Sequence, residues 1–217
     1  MSQSLEDYAR GSFLSLDIEG DGNKDQRPVE ISLCQFDGGL FTREWHWLVD
    51  PGRAISYFAT KKHGLRDGDV KGARAFAEIS HEIAVAVEGR VCVAHDAIGD
   101  LLMLGEGDVR TLDLPSRIFC TYRMAKAAIA RGQPVSPGVV SLSEWLGIGE
   151  PPETLQRRTV HSSSLDAWRT GQIFLALALQ LAGNVPADRQ EIDRFCIGQK
   201  SLQSVKAKLA KRRSKAV

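Results

Sequence analysis

The sequence predicts an α/β domain with a mixed sheet, on three observations. Three strand-like segments separated by turn residues open the chain. Short apolar strands then alternate with helical segments. One long apolar helix closes the pattern, just before the stop signal Gly183-Asn184 and Pro186.

The elements follow in order. Ser12 to Ile18 reads as a strand, ended by the Gly/Asp/Asn/Lys turn at 20 to 25. Val29 to Phe36 reads as a second strand, Asp37-Gly38-Gly39 as a turn, and Phe41 to Val49 as a third strand with alternating large residues. Ala73 to Val87 has helical spacing. Val91 to Ala94 is a short apolar strand, and Ala97 to Leu104 is helical. Arg117 to Cys120 gives another strand, with a helical stretch to Ala130 and a short helix from Ser141 to Leu146. A loop at 149 to 160 carries Pro151-Pro152 and Arg157-Arg158, and the long helix spans Ser163 to Ala182. Residues 187 to 217 form a charged, helix-like segment ending in KAKLAKRRSKAV.

The chain has 217 residues, 43% of them hydrophobic and 25% charged, which suits one well-filled core. Its net charge is +1, so any nucleic-acid contact must rest on local clustering of cations. The 4 cysteines, Cys34, Cys92, Cys120 and Cys196, form no C-x-x-C pair, and buried reduced thiols are expected. The first residues lack a signal-peptide core, and the apolar run from Ile173 to Ala182 is too short to span a bilayer. A cytoplasmic protein without a membrane partner is expected.

Three acidic clusters carry the chemistry. In Asp17-Ile18-Glu19 the carboxylates, two residues apart on a strand, point to one face. Like charges so placed repel unless a cation lies between them, and a hard divalent metal is the natural cation. A calcium-loop reading of Asp17, Glu19, Asp21 and Gly22 fails at its twelfth position, which is Pro28. The second cluster is His95-Asp96 with Asp100, at a strand end and in the next helix's first turn. The third is His161 with Asp166, where Ser163 and Asp166 fit a capping box. Taken singly, each has a structural reading: a turn entry, a helix-dipole partner and a cap.

Together, in this order, D-x-E, H-D-x-x-x-D and H-x-x-x-x-D resemble the DEDDh (DnaQ-like) exonuclease superfamily. That superfamily includes the proofreading epsilon subunit of bacterial DNA polymerase III, ribonuclease T and oligoribonuclease. The resemblance covers roughly residues 11 to 183, with support from Val29-Glu30-Ile31, Pro51, His63-Gly64 and Asp69-Val70. It implies a ribonuclease-H-like five-stranded sheet flanked by helices, with the second strand antiparallel to the rest. It implies a nuclease domain over 1–184, leaving 185–217 as a charged helical extension with a basic tail. The family's metal ligands fall on Asp17, Glu19, Asp100 and Asp166, and its general base on His161. The sequence departs from the family where Gly20-Asp21-Gly22 follows D-x-E, where Asp96 and Gly99 replace Asn and Phe, and where Ser163 replaces the common Ala. None of these removes a ligand.

The implied activity is metal-dependent 3′-5′ exonucleolysis of single-stranded DNA or RNA, releasing nucleoside 5′-monophosphates. Two ions, Mg²⁺ or Mn²⁺, about 3.5–4 Å apart would be shared by Asp17, with Glu19 and Asp166 at one and Asp100 near the other. Gly20, Phe58 with its neighbour Tyr57, His63, Arg157 and Arg158 are candidate substrate contacts. The partner is a nucleic acid with a 3′ end, and the resemblance leaves room for a homodimer. Two alternatives stand beside this: a phosphodiesterase of dinucleotides or short oligoribonucleotides, and a non-catalytic nucleic-acid-binding member of the fold. The cations Lys206, Lys208, Lys211, Arg212, Arg213 and Lys215 crowd the tail, either as a solvated end or as a phosphate tether.

Overall fold

The computed structural model describes residues 3–107, 109–129, 133–156, 162–185 and 188–214. The chain runs α1 (Leu5–Arg10), β1 (Ser12–Gly20), β2 (Pro28–Asp37), β3 (Leu40–Leu48), α2 (Tyr57–His63), α3 (Asp67–Val70) and α4 (Phe76–Val87). It continues through β4 (Val91–Ala94), α5 (Ile98–Gly107), a 3₁₀ turn at Val109–Asp113, β5 (Arg117–Cys120), α6 (Thr121–Ala128) and α7 (Val139–Trp145). The last elements are α8 (Glu153–Gln156), α9 (Ser163–Ala182), α10 (Arg189–Asp193) and α11 (Gln199–Arg213).

One five-stranded sheet has the order β3-β2-β1-β4-β5. β2 pairs antiparallel with both β1 and β3, whereas β1, β4 and β5 are parallel. The mixed sheet with its second strand reversed is therefore present. The parallel crossovers put helices on both faces, as parallel strands require.

Alternation along β1 divides the core in two. Leu14, Leu16 and Ile18 face α4, α5 and α11, packing with Ile79, Ile83, Leu101, Val205 and Leu209. Phe13 faces α9, stacks on Phe36 at 5.0 Å and meets Phe174 edge-on at 4.9 Å. Gly171 brings α9 close to the sheet: a Cβ there would lie 2.2 Å from Phe36 Cε2. Past Phe13 the same face carries Ser15, Asp17 and Glu19, so it turns from apolar to acidic toward the strand's end.

Residues 188–214 share this core. The backbone N–H of Cys120 donates to Phe195 O and that of Ile197 to Ile118 O, both at 2.8 Å, so the segment lines the β5 edge. α11 buries Leu202, Val205 and Leu209. Helices α1, α2 and α8 carry too few residues to show a period in the sequence, and α7 begins at Val139 rather than Ser141. All four cysteines are buried and free. Among the described residues, no helix is long and apolar enough to cross a membrane.

Candidate active site

Asp17 and Glu19 end β1, and Asp166 projects from the first turn of α9. One carboxylate oxygen from each lies within 4.8 Å of the others. Asp100, in the first turn of α5, faces a cavity of about 460 Å³, together with Asp17, Asp166, Lys62 and His95. The fold thus gathers these four carboxylates in one place, three of them in mutual reach.

This concentration of charge is buried, and burial opposes ionisation. Burial, then the charges of Asp100, Glu19 and Asp166, raise the Asp17 carboxyl well above the usual range. Burial, then Glu19, push Asp100 up to about 8. Burial also raises Glu19, with Lys62 working in the opposite direction. Lys62 Nζ stands 2.9 Å from Glu19 Oε2, and an Arg169 guanidinium N is 3.2 Å from Asp166 Oδ1. Even so, Asp17 Oδ2 and Glu19 Oε1 are buried with no hydrogen-bond partner among the described residues. Two orphaned carboxylate oxygens at the centre of an all-oxygen donor set fit a hard divalent cation such as Mg²⁺ or Mn²⁺.

The site is braced by contacts that sequence reasoning missed. Glu30, opposite Glu19 in the β1–β2 ladder, is buried; its Oε1 meets His46 Nε2 at 2.8 Å and its Oε2 accepts the Ser163 N–H at 2.8 Å. Against the cost of burial, these two bonds hold the Glu30 carboxyl below its ordinary range. Ser32 Oγ contacts Ser163 Oγ at 2.7 Å and Ser164 Oγ at 3.0 Å, which gives the serine at 163 a partner. The helix cap is Ser162, whose side chain accepts the Leu165 N–H. With Leu165 at the third helical position, the expected capping box of Ser163 and Asp166 does not form, and the Asp166 carboxylate joins Asp17 and Glu19 instead. A charged residue inside the apolar strand Val29-Glu30-Ile31 was the available signal for Glu30.

A second cavity, about 310 Å³, adjoins the first and is lined by Gly20, Phe58, Lys62 and His63 among others. Phe58 and Tyr57 are 81% and 74% exposed, with ring centroids 5.7 Å apart. His63 is buried, with Nε2 3.2 Å from Gly20 O and Nδ1 accepting the Leu65 N–H at 3.1 Å, so it ties α2 to the end of β1. Burial lowers its basicity, in keeping with a neutral ring. The longer turn after β1 is clasped by buried Asp21, whose Oδ1 accepts from Asn23 N and Arg27 N while its Oδ2 pairs with Arg53. Asp96, at the rim of the larger cavity, has φ +50°, a left-handed conformation that Asp and Asn tolerate. His161, Arg157 and Arg158 lie outside the described residues.

The model of the RNase_T exonuclease family matches residues 14–174, the span that holds all four carboxylates. The chain belongs to this family. Among its relatives, a PolC-type DNA polymerase III of Thermotoga maritima is 28% identical over 172 residues, 77% of this chain and 12% of that protein. RNA exonuclease 4 of Mycosarcoma maydis is 29% identical over 98 residues, 43% of this chain and 25% of that protein. The chain thus spans a quarter or less of the length of these relatives. In fold, it is similar to exonuclease X in complex with 5′-overhanging duplex DNA, at TM-score 0.57 and 20% identity, covering 79% of this chain and 98% of that one. It is also similar to E. coli exonuclease I in complex with a dA16 oligonucleotide, at TM-score 0.61 and 14% identity, covering 84% and 42%.

Proposed function

We propose that the chain is a 3′-5′ exonuclease that hydrolyses phosphodiester bonds of single-stranded DNA or RNA and releases nucleoside 5′-monophosphates. The observation that carries this reading is the convergence of Asp17, Glu19 and Asp166 oxygens within 4.8 Å, two of those residues having buried oxygens with no partner among the described residues. Two divalent ions held by Asp17, Glu19, Asp100 and Asp166 would neutralise phosphate charge and acidify the attacking water. His161, two residues before α9, takes the water's proton on a ring nitrogen; an imidazole with an ordinary pKa near 6.5 suits that task.

The remaining residues bind and orient. Phe58 and Tyr57 offer exposed rings for the terminal bases, and stacking accepts any base. Gly20, whose Cβ would meet Gln26 Oε1 at 2.3 Å, keeps the cavity floor at backbone height. Arg157 and Arg158 would reach the phosphates. Reduced, buried thiols suit a cytoplasmic setting.

The test is a panel of 5′-labelled single-stranded DNA, RNA and dinucleotides, with Mn²⁺ or with excess chelator. A descending ladder that disappears with chelator supports the reading. Immediate release of a labelled 5′ mononucleotide reverses the direction, and cleavage confined to the dinucleotides makes the protein a short-oligomer phosphodiesterase.

A further inference from the structure

Lys62 stands one residue from the end of α2, between the two cavities. It lines the larger with Asp17, Asp100 and Asp166, and the smaller with Gly20 and Phe58. Among the described residues lining either, it is the one lysine or arginine. Its Nζ lies 2.9 Å from Glu19 Oε2, yet its side chain is 62% exposed whereas that of Glu19 is 3% exposed. The pair therefore joins a fixed anion to a cation on a flexible stem with open space beside it.

We propose that Lys62 is a displaceable counter-cation: its ammonium neutralises Glu19 until a divalent ion takes that carboxylate, and then turns to a phosphate of nucleic acid in the adjoining cavity. The inference rests on the reading of the carboxylates as metal ligands. Its physical basis is competition. An ammonium and a divalent cation repel at the same carboxylate, and the lysine can leave cheaply because it is a monodentate point charge on a mobile chain. An ion pair with one partner this exposed is worth little, so it guards the site without closing it. The swing is short because the same side chain already borders both compartments. No other lysine or arginine among the described lining residues stands ready for a phosphate there.

Two opposite consequences follow from one substitution. Without Lys62, Glu19 is free for metal, so metal binds more tightly; the phosphate loses one cationic partner, so nucleic acid binds more weakly. Lys61, exposed and adjacent on α2, lines neither cavity and serves as the control. The experiment titrates Mn²⁺ calorimetrically into the full chain, as wild type, Lys62→Met and Lys61→Met. It then measures anisotropy of a labelled single strand with phosphorothioate linkages. Lys62→Met should bind Mn²⁺ about twofold to fivefold more tightly. It should bind the oligonucleotide more weakly, with the log–log salt slope reduced by about 0.7. Lys61→Met should leave Mn²⁺ affinity unchanged. Lys62→Arg should restore oligonucleotide affinity. Equal or weaker Mn²⁺ binding by Lys62→Met overturns the displacement while leaving the metal site intact. Absence of Mn²⁺ binding by the wild type overturns the metal reading itself, and the displacement with it.

Discussion

Asp17 is surrounded by three other carboxylates, and its own oxygen Oδ2 is left without a partner among the described residues. Its replacement by Ala should abolish turnover in the 5′-labelled assay and cost most of the Mn²⁺ affinity, since it sits between Glu19, Asp166 and Asp100. The same crowding predicts a pH dependence. Asp100 has an ordinary value of 3.8 and is pushed up to about 8 by burial and Glu19, and Asp17 and Glu19 are raised as well. A carboxyl whose folded pKa is raised binds a proton more tightly when folded. Its stabilising effect is full below the unfolded value and is lost as pH rises through the folded one. In chelator, Asp100→Asn should therefore lose less melting temperature than wild type between pH 4 and pH 8, the comparison cancelling the opposite contribution of the His63 and His95 rings, whose basicity burial lowers, and Mn²⁺ should restore stability above pH 7. Identical melting profiles for wild type and Asp100→Asn over this interval in chelator would contradict the raised Asp100 carboxyl. His161 makes a separate prediction: its replacement by Ala should lower turnover by about 10²–10⁴-fold and leave Mn²⁺ binding unchanged.

At the level of elements, α9 decides whether Asp166 reaches Asp17. Its docking uses close approach at Gly171 and a carboxylate clamp at its first turn, where Glu30 takes the Ser163 N–H and contacts His46. Gly171→Ala puts a methyl group into Phe36, an overpacking that should cost about 1–3 kcal/mol or more in urea unfolding. Glu30→Ala leaves the Ser163 N–H and the His46 ring without this buried acceptor, and should cost about 1–3 kcal/mol. Because Asp166 rides on this helix, Glu30→Ala should also weaken Mn²⁺ binding, although Glu30 is not in the cluster. Unchanged Mn²⁺ affinity in a folded Glu30→Ala protein would show that α9 is placed by its apolar face alone.

For the whole molecule, the sheet is sandwiched between two cores, and the C-terminal helix α11 closes one of them. Much of the basic tail is engaged there. Lys206 pairs with Asp113 at 2.5 Å, Arg212 with Asp25 and Glu106 at 2.9 and 2.7 Å, and Arg213 donates to Gly105 O at 3.0 Å. Lys215 lies outside the described residues. Truncation from Lys206 would remove buried Leu209 and should destabilise the fold, so it cannot isolate a tether. The double change Lys208→Ala and Lys211→Ala can, since both are exposed beside Lys24 in one shallow basic pocket. If the tail holds phosphate, this variant should flatten the log–log salt dependence of long-oligomer binding by about 0.7 for each phosphate no longer neutralised, and spare dinucleotide turnover. Equal slopes would make the tail a structural and solvated end.

Local periodicity encodes the features that could be read before folding. β1 had to present Asp17 and Glu19 on one face because alternation is a property of any strand, and the extent of α9 from Ser163 to Ala182 followed from its apolar content and stop signal. The order of the acidic clusters then pointed to the family. Partners brought from afar needed the folded chain. Lys62 reaches Glu19 across 43 residues, and Glu30 reaches the Ser163 amide across 133. Asp21 falls in a calcium-loop pattern that fails at Pro28, and in the fold it clasps its own turn with Arg53. The tail's cations leave a solvated end and a phosphate tether both open, yet every third or fourth residue of α11 enters the core. In each case the side chain's type was plain, but its partner was set by the folding of distant strands and helices into contact, which no local pattern records.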